Sequence, residues 1–328
     1  MNAALPPLPD VAKRSQRGRR FDQAFRIAAV SAAVVLLGLL ALIVVSTLNA
    51  SIPWFRDWGW DSILGTRWVP SDGAGASLEA LALIYGSIIT SLIALVIAVP
   101  LSIGVALFVT EIAPTALRAP VIFVIDLLAV IPSVVFGLWG LNVLAQPLSR
   151  LYESISATCD GWPILGTILD GKPVSGVSLM TGGLILSLMA TPIVASLSRE
   201  VVATTPTSLK EAALALGATR WEMMKVAVLA HSRSGLAASA LIGLGRALGE
   251  TIAVVLVVGA SARITPALFS SGDTMAAAIA RNFNEATGVT RSALIGLGVV
   301  LLVVTFVINV SARTIIRRVQ SRSAGVAA

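Results

Sequence analysis

From residue 27 onward the chain is a series of long apolar runs separated by short polar segments. The runs are continuous and lack the two-residue alternation of a membrane barrel strand. Each is long enough to cross a bilayer as a helix of about 20 residues. The pattern predicts six spans, at 27–48, 80–110, 121–146, 174–198, 236–261 and 292–312. The second is too long for one straight crossing and holds Pro100 and Gly104, which predicts a bend or an extension out of the membrane. The fold class is therefore all-α: a polytopic membrane protein with about six transmembrane helices. Residues 1–26 form a tail, 27–312 the membrane domain with a polar loop at 199–234, and 313–328 a second tail.

Composition agrees with that class. Hydrophobic residues make up 56% of the chain and charged residues 12%, against about 25% charge in soluble domains. Mean hydropathy is +0.89. The basic stretch "KRSQRGRRF" before the first run resembles the start of a signal peptide, but the run exceeds the usual apolar core of one, and an uncleaved first span is expected.

Charge sets an orientation. With the N-terminus cytoplasmic, the inner segments hold sixteen Lys and Arg and the outer segments seven, Lys172 among them. That bias predicts both termini inside, with Lys13 and Arg317 cytoplasmic. It also accounts for most of the net charge of +7 and leaves nucleic-acid binding without support. Trp54, Trp58, Trp60 and Trp68 fall in the first outer loop, as an interfacial aromatic belt or as a docking surface for an outer partner. Cys159 stands alone in an outer loop and makes no internal disulfide.

"GTILDGKP" imitates a phosphate-binding loop but fails as one. Pro173 stands where the magnesium-binding hydroxyl belongs, no strand precedes the motif, and the expected topology puts it outside the cell. If ATP drives this protein, the ATPase is another chain, and no cofactor is expected here.

The 199–234 loop carries strong helix punctuation. Ser208 with Glu211 and Thr219 with Glu222 each have the spacing of a capping box, and Gly217 is a helix stop. Two short helices meeting at Gly217 are expected, with Leu209, Ala212, Ala213 and Leu216 on one side of the first and Trp221, Met224 and Val228 on the second. About 36 residues tethered at both ends are too few to support a DNA reader, so a peg that enters a groove on a partner is the better reading.

"EAALALG" in this loop resembles the cytoplasmic loop of ABC-importer permeases, which carries E-A-A, three residues, then Gly. Downstream, Leu229 is flanked by Ala227 and Ala230 where that family usually has I-x-L-P. "AVIPSVVFGLWGL", "LSREVV" and "GRALGET" followed by "IAVVLVVG" are similar to the phosphate-specific (Pst) permeases, closer to the PstC branch than to PstA. The resemblance implies a type I ABC-importer permease fold and import of inorganic phosphate. It implies a second, PstA-like permease, a PstB-like cytoplasmic ATPase dimer using ATP and magnesium, and a PstS-like external phosphate-binding protein. It also implies that Glu211, Ala212, Ala213 and Gly217 couple to the ATPase, while this chain makes and breaks no covalent bond.

The fifth run, "LIGLGRALGETIAVVLVVG", holds two charges. On a continuous helix Arg246 and Glu250 have i, i+4 spacing for an ion pair and share a polar, small-residue stripe with Ser239 and Gly243. Gly245 and Gly249 form a G-x-x-x-G pair on the adjacent face, for close helix packing. A lone Arg at the bilayer centre costs roughly 3 kcal/mol, so Arg246 is expected to face a water-filled path, where its planar fork suits an oxyanion. Glu250 either accepts the P–OH hydrogen bond of phosphate and repels sulfate, or only moderates Arg246. Asp126 is the other acidic residue in a predicted span, either paired with Arg246 or an interfacial cap. His231, the only histidine, lies where the loop returns to the membrane, at a surface or interface. Permeases for sulfate, molybdate or phosphonate are the nearer alternatives. An ion-coupled secondary transporter is the farther one, and it predicts an internal repeat or paired broken helices.

Overall fold

The structure, a computed structural model, describes residues 16–71, 75–171 and 175–324. Lys13, Lys172 and Pro173 lie outside those residues. The chain divides into a unit of residues 1–49 and a unit of residues 50–328.

Helix α1 (Gln16–Trp58) supplies the first span. Within the first unit its described side chains are nearly all exposed.

In the second unit, α2 (Asp61–Leu64) and the two-residue strands β1 (Trp68–Val69) and β2 (Ser77–Leu78) follow, the strands paired antiparallel with Trp68 opposite Leu78. Next come α3 (Leu81–Leu107), α4 (Thr115–Val130), α5 (Ser133–Trp139), α6 (Ala145–Cys159), α7 (Leu165–Ile168) and α8 (Leu179–Ala203). After them are α9 (Thr207–Ala215), α10 (Arg220–Met223), α11 (Ala230–Gly249), α12 (Ile252–Val257), α13 (Met275–Asn282) and α14 (Gly288–Ala324). Among the described residues five helices are long and apolar enough to cross a membrane, or six if the bent pair α4 with Ser133–Cys159 counts as one span.

α8 is the hub, packed against α3, α4, α11 and α12. Small residues make this possible, because they let helix backbones approach where no hydrophobic effect drives association. A Cβ on Gly183 would meet Thr90 and Ile93 of α3, and Gly235 and Gly243 of α11 face Val201 and Val194 of α8. Hydroxyls bridge the same helices: Ser102 donates to the Thr191 carbonyl at 3.0 Å, and Ser198 and Ser239 share a hydrogen bond of 2.9 Å.

Several expectations change. The second span takes the extension of the two expected alternatives: it is one helix through Pro100, continued by a π turn at Phe108–Ile112, and its 32 residues make roughly 48 Å against a hydrocarbon core of about 30 Å. The third is not one helix: α4 and Ser133–Cys159 meet at 92°. Pro132 explains the knee, since it cannot donate to the preceding turn and disfavours helical geometry at Ile131, whose ψ is 127°. The fifth breaks too, at Glu250, which has ψ 130°. Beyond the breaks the two following segments pack together, where a Cβ on Gly137 of α5 would meet Ala253 and Leu256 of α12. The broken helices that the sequence does not reveal are therefore present. Cys159 ends a helix rather than sitting in a loop. Trp54 and Trp68 are not an interfacial belt: both are buried in a cluster with Leu78, Met275 and Leu297, and Trp54 Nε1 donates to the Leu78 carbonyl. Trp60, 80% exposed, is the one that suits a surface role.

Candidate functional site

Arg246 stands in the last turn of α11 with its side chain exposed, and Glu250 is the residue at which the helix stops. The expected i, i+4 ion pair is absent: neither residue has an ion pair among the described residues. The reason is geometric, because i, i+4 facing requires both residues to be helical and Glu250 is extended. Asp126, exposed on α4, is not paired with Arg246 either.

The proposed stripe also divides. Ser239 and Gly243 are buried against α8, while Arg246 faces away from the protein. Gly245 and Gly249 meet no protein atom within 4 Å of an added Cβ, so their close-packing role is not exercised inside this chain. Glu250 instead lines a narrow gap, too tight to hold a water, with Ser87 and Thr90 of α3 and Thr274.

Above that gap the segment between α12 and α13 folds back onto α3. Gly86 lies against the Asp273 backbone, leaving no room for a Cβ, and the Met275 N–H donates to Ser87 at 3.0 Å. Asp273 is 3% exposed and receives both terminal nitrogens of Arg281, at 2.7 and 3.3 Å; Arg281 also donates to the Gly259 carbonyl at 2.8 Å. Burial holds the Asp273 carboxyl above its usual range, opposed by Arg281. The sequence reading missed this pair. Its only signal is "DTMAAAIAR", two charges closing an otherwise apolar run of two helical turns.

At the other end lies the loop between α8 and α11. Its first helix starts at Thr207 behind Pro206, which places Ser208 inside the helix, so the expected Ser208–Glu211 capping box does not form. The second box does: Thr219 accepts from the Glu222 N–H and Glu222 accepts from the Thr219 N–H. Gly217 has φ +85°, and the bonds Gly217 N–H to Leu214 and Ala218 N–H to Ala213 close a Schellman turn. Glu211 and Ala212 are exposed, Leu216 is 90% exposed and Trp221 55%, while Ala213 packs against the buried Met223 and Val228 group. Met224 and Val228 are buried, so only Trp221 of the second expected face is outward. Lys210 donates to Glu111 at 2.6 Å and ties α9 to the end of the second span. α10 continues through a π turn (Met224–Leu229) into α11. One run of helical segments thus extends from Arg220 to Gly249 and carries Arg246 near its end. His231 is exposed.

The sequence pattern of the family described as binding-protein-dependent transport system inner membrane component matches residues 98–322. The chain belongs to that family. This binding-protein-dependent permease is 41% identical over 310 residues to the phosphate transport system permease protein PstC of Xylella fastidiosa (strain Temecula1 / ATCC 700964), covering 94% of each chain. It is 38% identical over 329 residues to PstC of Mesorhizobium japonicum, covering 98% of this chain and 99% of that one. With PstC of Haemophilus influenzae it shares 40% identity, covering 88% and 90%. Among solved structures, a chain of a bacterial alginate ABC transporter in complex with an alginate-pentasaccharide-bound periplasmic protein superposes with TM-score 0.61 at 16% identity, over 92% of this chain and 97% of that one. That similarity shows the fold. The permease is a multi-pass membrane protein of the PstC kind, and the PstC resemblance read from its motifs extends over nearly its whole length.

Proposed function

We propose that this chain is the permease subunit through which an ATP-driven importer moves inorganic phosphate across the cytoplasmic membrane. The observation that carries the reading is Arg246, an exposed guanidinium without an ion pair among the described residues, in the last turn of a membrane helix, in a chain whose relatives are phosphate transport permeases. Hydrocarbon does not accept such a group, so its face belongs to a polar path completed by a second, PstA-like permease. The planar fork of donors suits a tetrahedral oxyanion. Glu250, at the break, accepts the P–OH hydrogen bond of phosphate in this reading, a donor that sulfate lacks.

α9, with Glu211 and Ala212 toward the outside of the chain, Ala213 packed beneath them and Gly217 turning the backbone, offers the docking face for a PstB-like ATPase dimer that binds ATP and magnesium. A PstS-like binding protein delivers phosphate to the opposite face. Both termini and the α9–α10 loop are cytoplasmic in this reading. Asp126, exposed on the oblique half-helix α4, lines the same polar region or caps it at the interface. This chain itself carries out no chemical step.

Uptake of radiolabelled phosphate into vesicles holding the co-purified complex tests the function. Uptake that needs ATP and the second permease supports it; uptake by this chain alone, driven by an ion gradient, overturns it. Impermeant maleimide labelling of single cysteines at Lys13, Lys172 and Arg317, with Cys159 replaced, tests the orientation. Labelling at Lys172 only is expected in intact cells.

A further inference from the structure

A groove of ≈ 860 Å³ separates α11 from α14, walled by Ala238, Ile242 and Gly245 on one side and by Leu302 and Phe306 on the other. Its two ends differ. Gly245 and Leu302 line one end, whereas Ser234, Arg313 and Ile316 border the other, its mouth. Ser234 and Gly245 are eleven helical steps apart, roughly 17 Å, and half of a hydrocarbon core is about 15 Å. The groove is one leaflet long, and its mouth is at the end of α11 nearest α10.

The walls are apolar in effect. Asn309, the amide among the lining residues, donates to the Thr305 carbonyl of its own helix at 3.0 Å. The mouth is cationic: Arg313 borders it, Arg233 precedes Ser234 on α11, and both are exposed with no ion pair among the described residues. Arg317 and Arg318 follow in the sequence, and no carboxylate is among the lining residues.

We propose that this groove binds an anionic phospholipid of the leaflet on the α9 side, with an acyl chain along Ala238, Ile242 and Phe306 and the phosphate at Arg313. A transmembrane helix of a neighbouring protein is the poorer occupant. It needs the full hydrocarbon thickness, and the groove stops halfway. A phospholipid has the required length and an apolar body ending in a negative charge, and basic sites between membrane helices recognise such headgroups. Because Gly245 adjoins Arg246, the bound chain fixes the spacing of α11 and α14 beside the proposed path, whichever anion is carried.

The full-length protein, co-purified in mild detergent with its transport partners, is titrated with dioleoyl phosphatidylglycerol or dioleoyl phosphatidylcholine. Retained lipid is counted by native mass spectrometry. Phosphatidylglycerol is expected to be retained preferentially. Arg313→Gln should lower its retention about fivefold, the effect of one interfacial cation, and leave phosphatidylcholine unchanged. Ala238→Trp, which fills the wall, should lower both. Arg313→Gln alters an exposed, unpaired side chain, so it remains informative if Ala238→Trp accumulates poorly. Equal retention of the two lipids, or unchanged phosphatidylglycerol in Arg313→Gln, overturns the proposal. A disulfide between Ala238→Cys and a cysteine in a neighbouring subunit does so too, because the groove then holds protein.

Discussion

Arg246 and Glu250 are four residues apart yet do not pair, because α11 ends between them and leaves Glu250 in the gap lined by Ser87 and Thr90 while Arg246 is exposed. The two charges are therefore separately available. Glu250→Gln keeps the shape and an acceptor but removes the charge. It should retain phosphate flux and gain inhibition by sulfate in ATP-driven vesicle uptake. Arg246→Lys keeps the charge but loses the fork, so phosphate flux should fall at least several-fold without new sulfate sensitivity. Wild-type behaviour of both variants, at equal membrane levels, would remove these residues from anion recognition.

Gly217 carries the second prediction. Its φ of +85° costs a side-chain-bearing residue roughly 1–2 kcal/mol, and nothing crowds the position. Gly217→Val should therefore disturb the turn between α9 and α10 and leave the membrane helices in place. Glu211→Lys changes only an exposed charge. Both should insert normally and capture less of the ATPase in pull-down, and full capture by both would exclude the loop as its docking site.

The Lys210–Glu111 pair predicts a different outcome. It joins α9 to the end of the second span, and its side chains are 21% and 9% exposed. Glu111→Gln should cost about 1–2 kcal/mol, discounted from a fully buried pair for that exposure, and weaken the stimulation of ATP hydrolysis by transport. The exchange Lys210→Glu with Glu111→Lys should restore stimulation. If the exchange behaves no better than Glu111→Gln, the bridge does not transmit movement.

Asp273 and Arg281 make stability depend on pH. Burial raises the Asp273 pKa from 3.8, so the folded protein takes up a proton more readily than the unfolded chain. That contribution to stability is fully present below pH 3.8 and is lost as pH rises through the raised value. Arg281→Met removes the opposing cation and raises the carboxyl further. The variant should melt several degrees lower than wild type near pH 7.5, with the gap narrowing as pH falls toward 5. Adding Asp273→Asn should remove the pH dependence of the gap. A gap independent of pH in Arg281→Met would mean that the lost packing of Arg281, and not the uncompensated carboxylate, sets the stability.

The sequence by itself determined the membrane class, the six apolar spans, the Gly217 stop, the Thr219–Glu222 cap and the PstC kinship. Each of these is written in local composition or in contiguous residues: a span needs only about 20 apolar residues, and a Schellman turn needs a glycine at one position. Tertiary structure decided the rest. A helix that breaks at Pro132 has a local cause, whereas the break at Glu250 has neither proline nor positive φ to announce it and depends on α12 packing against α5. That single break dissolved the expected Arg246–Glu250 pair and separated Ser239 and Gly243 from Arg246, because side chains share a face only while the helix between them continues. Pro206 moved the start of α9 and removed a capping box that spacing alone had suggested. Asp273 with Arg281, and Lys210 with Glu111, were invisible for another reason. A charge in a polar loop or at a span end has the same local signature whether it is solvated or buried, and only the folded chain brings its partner within 3 Å.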